Sequence, residues 1–393
     1  MQRPSPRTIL LLTAGCFFAF FVFGFTDNLK GPTLPAILSE LNIDYGIGGN
    51  IFFGQYFGFF IATLLTGLLA ERFGVKLAIL LAGFFLLIGV WAYSSFSSPW
   101  LLGGALFVIG LGLGALELGP NAIIVSLHHT RKGLYLNLMS VLHGMGSMIA
   151  PLLAGPLLAA GTSWRSIYRW DLLLVSAFIL YFLAMRFPKQ AAQEVHSLDL
   201  QETSRFAFRG MLPWFYLSIG LYVALEIGLA SWLVTFLQDA RGVSITASSQ
   251  ALSLFFGLLM LGRLLGGFVV HRAGYLRSIL FAAVGALACT ALGLFGPPSF
   301  VFALSITGFF LSIIFPTITA AVSDTYTGHM NTVLGVLFTF AGIGGLVGPW
   351  LVGWGSDLLG LQFGFGINLV LAILLLGSIL ILMRGKRLEP VTA

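Results

Sequence analysis

The sequence has few charged residues and almost no cysteine. Charged side chains make up 9% of its 393 residues, and the mean hydropathy is +0.98. Ordinary soluble domains carry about 25% charged residues. Too little polar surface remains to cover a water-facing exterior, which excludes a soluble globular protein of ordinary composition. The two cysteines, Cys16 and Cys289, lie within apolar runs. This placement excludes a disulfide-rich secreted domain and a cysteine metal site.

The sequence also lacks the motifs of familiar enzyme classes. It contains no Walker loop, HExxH, GxSxG or paired-cysteine motif, and its one Gly-x-Gly-x-Gly run, at 110–114, lies inside an apolar stretch. Lys and Arg outnumber Asp and Glu by 20 to 14, but they form no basic run that would indicate nucleic-acid binding. We therefore expect no enzymatic activity, no bound metal or cofactor and no nucleic-acid partner.

Long apolar runs are what the sequence has in abundance. They extend over about 18–30 residues, the helix length that a hydrocarbon core about 30 Å thick requires, whereas a barrel strand needs about 10 residues of alternating character. The first run continues well past Cys16, so we interpret it as a membrane span and not as a cleaved signal. We predict an all-α membrane protein with twelve transmembrane helices. The predicted spans 1–12 are 8–38, 49–70, 77–95, 100–127, 133–160, 168–186, 208–237, 247–269, 276–296, 299–323, 329–356 and 361–384.

The polar residues divide the chain and orient it. The longest polar stretch, 187–207, follows span 6, and we predict it to be a cytoplasmic linker between two six-helix bundles, 1–186 and 208–393. If both termini lie on one side, 16 of the 20 Lys and Arg residues fall on that side, including Arg263 near the end of span 8. The positive-inside rule then places both termini in the cytoplasm. We expect a multi-pass, monomeric protein of a bacterial inner membrane.

The two halves resemble each other in sequence. The segment 67–74 (GLLAERFG) after span 2 matches 267–274 (GFVVHRAG) after span 8, with an offset of 200 residues. Two matches at nearly one offset, each six spans apart, indicate an internal repeat. Parallel six-helix repeats with a substrate site at the membrane midplane are one common transporter architecture. The second match lies 198 residues apart and pairs Gly146, Pro151 and Gly155 in span 5 with Gly344, Pro349 and Gly353 in span 11.

The segment 67–76 (GLLAERFGVK) resembles the signature of the major facilitator superfamily between helices 2 and 3, Gly-x-x-x-Asp-Arg-x-Gly-Arg-Arg/Lys. The layout of the whole chain is similar to that family as well. The resemblance implies the major facilitator fold, and it implies that Glu71, Arg72 and Lys76 form a latch on the cytoplasmic gate. Glu71 replaces the usual Asp and Val75 a usual basic residue. The alternative is that the two cations only set the topology.

Four ionisable residues lie deep in predicted spans, where each costs about 2.5–3.5 kcal/mol on insertion scales and is a functional candidate by default. Asp27 and Lys30 in span 1 share a helix face and can pair. Span 4 carries no basic residue within a turn of Glu117, so burial favours its protonated form, which suits a proton carrier. The fourth is Glu226 in span 7, and a structural ion pair is the alternative role. Three aspartates near span ends are expected to be solvated or to cap helices: Asp171, Asp324 and Asp357.

The residues around Glu117 are similar to one subgroup of that family. The segment 112–121 (GLGALELGPN) resembles helix 4 of the fucose–proton symporters, Gly-x-Gly-x-x-Glu-x-x-x-Asn, and parts of spans 1 and 5 resemble the same group. The resemblance implies that Asp27 and Glu117 carry substrate recognition and proton coupling. His143 replaces an amide residue of that group and Lys30 has no counterpart in it, which leaves the identity of the sugar open.

Polar and aromatic side chains in the spans fit a hydroxyl-rich ligand, because amides both donate and accept hydrogen bonds and aromatic rings can stack on the apolar face of a pyranose. We predict a proton-coupled symporter that imports a small sugar, a hexose, with sodium as the alternative coupling ion. The alternative function is a proton-coupled antiporter that exports amphipathic or organic-anion compounds, which Lys30 would also suit. Packing is the alternative role for each aromatic. The candidate substrate contacts are Asp27, Asn28, Gln55, Asn121, Asn137, His143, Tyr222, Glu226 and Trp232.

Overall fold

The apolar runs of the sequence fold into twelve long helices. The computed structural model describes residues 5–128, 130–185, 187, 208–326 and 330–385, so the predicted linker 187–207 lies outside them except for Phe187. The described residues contain helices and no β-strand, and all twelve predicted spans coincide with helices long and apolar enough to cross a membrane, which confirms the fold class. The helices are α1 (Pro6–Leu41), α2 (Tyr45–Phe73), α3 (Val75–Ser95), α4 (Pro99–Leu127), α5 (Lys132–Ala159), α6 (Trp164–Ala184), α7 (Leu212–Ala240), α8 (Ile245–Ala273), α9 (Tyr275–Phe295), α10 (Ala303–Thr325), α11 (Thr332–Leu359) and α12 (Leu361–Gly385).

The described residues divide into two compact units. The first unit contains those of Met1–Glu194 and Val243–Ser253, and the second contains those of Val195–Gly242 and Leu254–Ala393. In the first unit α1 packs on α5, and α3 packs on α4 and α6. In the second unit α7 packs on α11, and α9 packs on α10 and α12. The same helix pairs therefore recur six helices later, as an internal repeat requires.

Glycines at equivalent places show the register of this repeat. Gly74 and Gly274, which join α2 to α3 and α8 to α9, have φ of +86° and +79°, a backbone conformation that essentially only glycine adopts without strain. A Cβ atom at Gly146 in α5 would lie 2.8 Å from the backbone nitrogen of Phe25 in α1. A Cβ at Gly344 in α11 would lie 3.1 Å from that of Ala224 in α7. Residues of α7 thus correspond to residues of α1 that precede them by 199 positions.

Prolines interrupt one spanning helix in each unit. In α1 the helix is broken at Leu29, between the segments Pro6–Asn28 and Lys30–Leu41. Pro32 has no N–H group to donate to the carbonyl of Asn28, which removes the helical hydrogen bond across the break. In α10 the segments Ala303–Leu311 and Ile314–Thr325 are separated in the same way, four residues before Pro316. The break in α1 lies between Asp27 and Lys30, at the centre of the candidate site.

Candidate functional site

The first unit holds a buried ion pair at the break in α1. The Asp27 carboxylate accepts hydrogen bonds from the Lys30 ammonium and from the Gln55 amide in α2. The Lys30 nitrogen also lies 4.8 Å from the centroid of the Tyr56 ring. Lys30 is 4% exposed and the Asp27 side chain 14% exposed. A buried charge pair needs such further hydrogen bonds to offset its desolvation. The predicted pairing of Asp27 with Lys30 is confirmed, and Gln55 is part of the same cluster.

Two further candidate substrate contacts, Asn28 and His143, lie where α1 packs against α5. The Asn28 side-chain nitrogen donates to the Gly24 carbonyl at 2.9 Å and to the Ser147 hydroxyl at 3.0 Å, so both amide hydrogens are used within the fold. The His143 ring, half-buried in α5, stands edge-on to Phe23 at a centroid distance of 4.7 Å. Asn28 therefore joins two helices, and its predicted contact with substrate would be made through its remaining acceptor oxygen.

The helix 4 motif brings Glu117 and Asn121 together on one face of α4. The Asn121 side-chain nitrogen donates to the Glu117 backbone carbonyl at 2.5 Å, and the Glu117 side chain is half-buried. Asn137 lies elsewhere: it is exposed and only five residues from the start of α5, a rise of about 8 Å. Glu117 and Asn121 of α4 thus lie together, whereas Asn137 of α5 lies near a helix end.

In the second unit, Glu226 of α7 has two partners. The Tyr222 hydroxyl donates to one carboxylate oxygen, and the guanidinium Nη2 of Arg263 in α8 lies 3.8 Å from the other. The Glu226 side chain is 13% exposed and that of Arg263 is 34% exposed. By its position in the sequence, Arg263 is one of the charges that are predicted to set the topology. The structure instead places it ten residues inside α8, where it forms an ion pair with a second candidate carboxylate.

Trp232 is fully buried within the second unit. Its indole nitrogen donates to the Pro349 carbonyl at 2.8 Å and so fastens α7 to α11. Tyr222 is also buried, 1% exposed, against Phe315 of α10. Neither ring offers a free face to a substrate in this arrangement. Their predicted stacking on a sugar stays a prediction, whereas their packing roles are visible.

One expectation about the aspartates near span ends is wrong. Asp171 is not solvated: it is 2% exposed and accepts a hydrogen bond from the Thr26 hydroxyl at 3.1 Å. Helix α6 begins at Trp164, four residues before the predicted span, because Ser163 caps it by accepting from the Ser166 N–H at 3.2 Å. That earlier start moves Asp171 two turns into the helix. Asp324 and Asp357 are exposed, as expected.

The signature residues lie at the end of the bundle formed by α2, α3 and α6. Glu71 and Arg72 are exposed, with the Arg72 guanidinium 5.3 Å from the centroid of the Phe73 ring. Lys76 donates to the carbonyls of Leu183 and Met185, at 3.2 and 2.7 Å, and thereby caps the end of α6. The structure gives Lys76 a role inside the first unit. The latch predicted for all three residues stays a prediction.

Comparison with known proteins places this chain among transporters. A family model described as Major Facilitator Superfamily matches residues 16–299. The putative glucose/galactose transporter of Helicobacter pylori is 24% identical over 94% of this chain and 95% of that protein. The glucose/galactose transporter of Brucella abortus is 26% identical over 88% of each. Two solved structures share the fold: the nucleoside transporter NupG (TM-score 0.78, 16% identity, 96% of this chain and 99% of that one) and the E. coli fucose:proton symporter FucP (TM-score 0.64, 21% identity, 95% and 98%).

Proposed function

The chain belongs to the Major Facilitator Superfamily, and we propose that it is a proton-coupled symporter that imports a small sugar by alternating access. It is a multi-pass integral membrane protein. The proposed substrate is a hexose, the proposed energy source is the proton gradient without any cofactor, and the proposed working unit is a monomer. The comparisons confirm the predicted resemblance to the fucose and hexose transporters of the superfamily.

The sugar proposal rests mainly on similarity to proteins that are described as sugar transporters. Two bacterial proteins that align with about nine-tenths of this chain are described as glucose/galactose transporters. The geometry of the first unit supports the same conclusion. At the break in α1, a carboxylate, an ammonium, an amide and an aromatic ring lie within contact of one another, namely Asp27, Lys30, Gln55 and Tyr56. A sugar hydroxyl can both donate to the carboxylate and accept from the amide or ammonium.

Glu117 is the proposed carrier of the coupled proton. It is half-buried in α4, within the segment 112–121 that resembles the corresponding helix of fucose–proton symporters. A carboxyl group is protonated more readily where hydrocarbon or protein replaces water, and a movement that hydrates it favours release of the proton. Asp27, held by Lys30, is the proposed orienting group for the substrate. Arg72, Glu71 and Lys76 are the proposed latch residues.

The proposed orientation has both termini in the cytoplasm of a bacterial inner-membrane protein. It rests on the distribution of Lys and Arg. A cysteine introduced at Ser97, between α3 and α4, should react with an impermeant reagent only from outside. One introduced at Ser197, which lies outside the described residues, should react only from the cytoplasm. Labelling of both positions from the same side would contradict the twelve-span orientation.

Transport into proteoliposomes tests the proposed activity directly. Radiolabelled glucose and galactose should accumulate when the lumen is made alkaline, and a sodium gradient of equal size should give none. Asp27→Asn should abolish accumulation, whereas Asp357→Asn, which changes an exposed aspartate near the end of α11, should leave it unchanged. Exchange of sugar without any response to a pH gradient would contradict proton coupling. Failure to exchange either hexose would contradict the substrate assignment.

A second candidate function is proton-coupled export of organic anions. The observation that favours it is Arg263, a cation inside α8 with a third of its side chain exposed. A guanidinium recognises a carboxylate by paired hydrogen bonds, and Glu226 could release it when such a substrate binds. Uptake of aromatic carboxylates into inside-out vesicles under a pH gradient separates the two candidates. If carboxylates are transported and hexoses are not, the second function replaces the first.

A further inference from the structure

Asp171 is a buried carboxyl group for which the proposed transport cycle has no role. It lies about two turns into α6, which begins at Trp164, and only 2% of its surface is exposed. One carboxyl oxygen, Oδ1, accepts from the Thr26 hydroxyl at 3.1 Å. The other oxygen, Oδ2, is fully buried and has no hydrogen-bond partner among the described residues. Thr26 directly precedes Asp27 in α1, so Asp171 contacts the helix segment that carries the candidate substrate site.

An ionised carboxylate in this position would be poorly compensated. Within the part of the chain that the structure describes, Asp171 forms no ion pair, since Lys30 is paired with Asp27. One hydroxyl hydrogen bond does not offset the loss of hydration of a full negative charge, whereas a neutral carboxylic acid loses far less on burial. The geometry therefore suits the protonated form of Asp171.

The last helix of the second unit carries a buried neutral side chain at the same count from its start. Asn368 is seven residues after the first residue of α12, as Asp171 is seven residues after the first residue of α6. Asn368 is fully buried, its side-chain nitrogen donates to the Phe365 carbonyl at 3.0 Å, and its oxygen Oδ1 has no hydrogen-bond partner among the described residues. Asparagine has the shape of a protonated aspartic acid. The last helix of the second unit thus buries an uncharged group of this size and shape with one oxygen unpartnered.

We propose that Asp171 is a proton-binding site of the first unit, occupied while Thr26 of α1 packs against it and emptied when α1 moves. Binding converts the carboxylate to a carboxylic acid with a proton from water, and release returns the proton to water. Because Thr26 and Asp27 lie on the same short segment, sugar binding at Asp27 and proton binding at Asp171 influence each other. This coupling rests on the proposed sugar transport, whereas the protonation of Asp171 does not.

Other titratable groups on the helices around α6 bear on this site. Tyr168, one turn away on α6, interacts electrostatically with Asp171, with Asp27 in α1 and with Tyr93 in α3. None of these groups supplies a positive charge. Lys30 in α1 is the nearby cation, and it hydrogen-bonds to Asp27. Further along the same helices are Cys16 and Glu40 in α1, Lys76 in α3, and Arg165, Arg169 and Tyr181 in α6.

Infrared spectroscopy of the purified full-length protein tests the protonation independently of transport. The wild type should show the carbonyl stretch of a buried carboxylic acid, and Asp171→Asn should remove that component. Thr26→Val should shift the band to higher frequency, because it removes the hydrogen bond to Oδ1, and this variant serves if Asp171→Asn does not fold. Asn368→Asp, the matched control, should add a second band. A wild-type spectrum from which Asp171→Asn removes nothing would overturn the proposal.

The coupling is tested by the pH dependence of glucose affinity. One linked proton changes affinity by up to about tenfold per pH unit, since one unit corresponds to about 1.4 kcal/mol. Asp171→Asn should reduce this dependence by up to that factor and keep glucose binding measurable. An unchanged pH dependence would overturn the coupling. If the wild type does not bind glucose at all, the proposed sugar function fails, and the infrared result still decides whether Asp171 binds a proton.

Discussion

The two units hold an acid–base pair at the same place in the repeat but in different ways. Glu226 follows Asp27 by 199 residues, the offset that relates α7 to α1. In the first unit the cation, Lys30, is on the same helix as its acid, is 4% exposed and hydrogen-bonds to it. In the second unit the cation, Arg263, comes from another helix, is 34% exposed and lies 3.8 Å away. The Lys30 ammonium is therefore held in a buried hydrogen bond, whereas the Arg263 guanidinium is more exposed and lies beyond hydrogen-bond distance of Glu226.

A second contact repeats in the same fashion. The Thr13 hydroxyl, about two turns into α1, and the His128 ring after α4 lie 2.8 Å apart. In the second unit, 198 residues later, the Tyr326 hydroxyl accepts from the Met211 N–H at 3.3 Å. The two contacts lie within one residue of the register that relates α1 to α7, but histidine titrates near neutral pH and tyrosine does not. Together with Asp171 in α6 and Asn368 in α12, this difference shows that helix contacts recur in both units while the side chains that make them differ.

Breaking the two acid–base pairs should have the largest effect and should differ between the units. Asp27→Asn leaves the Lys30 ammonium buried without its partner, and removing one member of a buried pair costs about 3–5 kcal/mol. Glu226→Gln should cost less, because Arg263 can be hydrated. The measurement is the free energy of unfolding in detergent for each variant.

A double variant provides the control for this experiment. Asp27→Asn with Lys30→Met should recover part of the lost stability, since the second change removes the stranded cation. Equal losses for the Asp27 and Glu226 variants would show that the two pairs are alike in energy. Failure of Lys30→Met to restore any stability would mean that Asp27 acts through other contacts.

Substitutions in the signature at the end of α2 should have effects of intermediate size, and they allow a second comparison between the units. Arg72→Ala should slow transport several-fold while glucose affinity stays nearly the same, because a latch acts on the movement and not on the site. Arg272→Ala, the matched change in the second unit, should slow it less, since His271 replaces the acidic residue there. Exchange rates and equilibrium binding measured on the same preparations separate the two effects. Unchanged transport in Arg72→Ala would leave these residues as topology signals.

The smallest predicted effect is a pH response confined to the first unit. Partial burial lowers the pKa of the His128 imidazole below its ordinary value. The unfolded chain then binds a proton more readily than the folded one, so the contribution of His128 to stability is complete above the ordinary value and is lost as the pH falls through it. His128→Asn should flatten the fall of the unfolding midpoint between about pH 7.5 and 5.5, on either side of the ordinary value. Tyr326→Phe should not change it, and a similar flattening by both would refute the assignment to His128.

The sequence alone predicts the helices and the ion pair of Asp27 with Lys30, because both depend on patterns within a single helix. Twelve apolar runs and the three-residue spacing of Asp27 and Lys30 need no knowledge of how helices pack. Arg263 approaches Glu226 because particular faces of α7 and α8 meet. The spacing of residues within either helix does not indicate which faces these are. The distribution of Lys and Arg along the sequence therefore groups Arg263 with the cytoplasmic charges.

Two other residues show where local reasoning fails. The predicted span 6 begins at 168, which puts Asp171 close to its end, where a solvated or helix-capping role is expected. The capping hydroxyl of Ser163 would have indicated the earlier start. Trp232 is an aromatic residue of the kind that stacks on sugars. Its indole nitrogen instead donates to a carbonyl 117 positions away in the chain, a contact that the local sequence does not indicate.

We propose that the first unit carries the coupled proton, with Glu117 as its carrier, and transport assays of three proteins test this assignment. Glucose uptake is measured in proteoliposomes under an imposed pH gradient, beside counterflow without a gradient, for the wild type, Glu117→Gln and Glu226→Gln. We expect that Glu117→Gln, which resembles the protonated acid, loses gradient-driven accumulation and keeps counterflow, while Glu226→Gln still accumulates glucose. If Glu117→Gln concentrates glucose on a proton gradient and Glu226→Gln does not, the coupling group lies in the second unit and the claim is wrong.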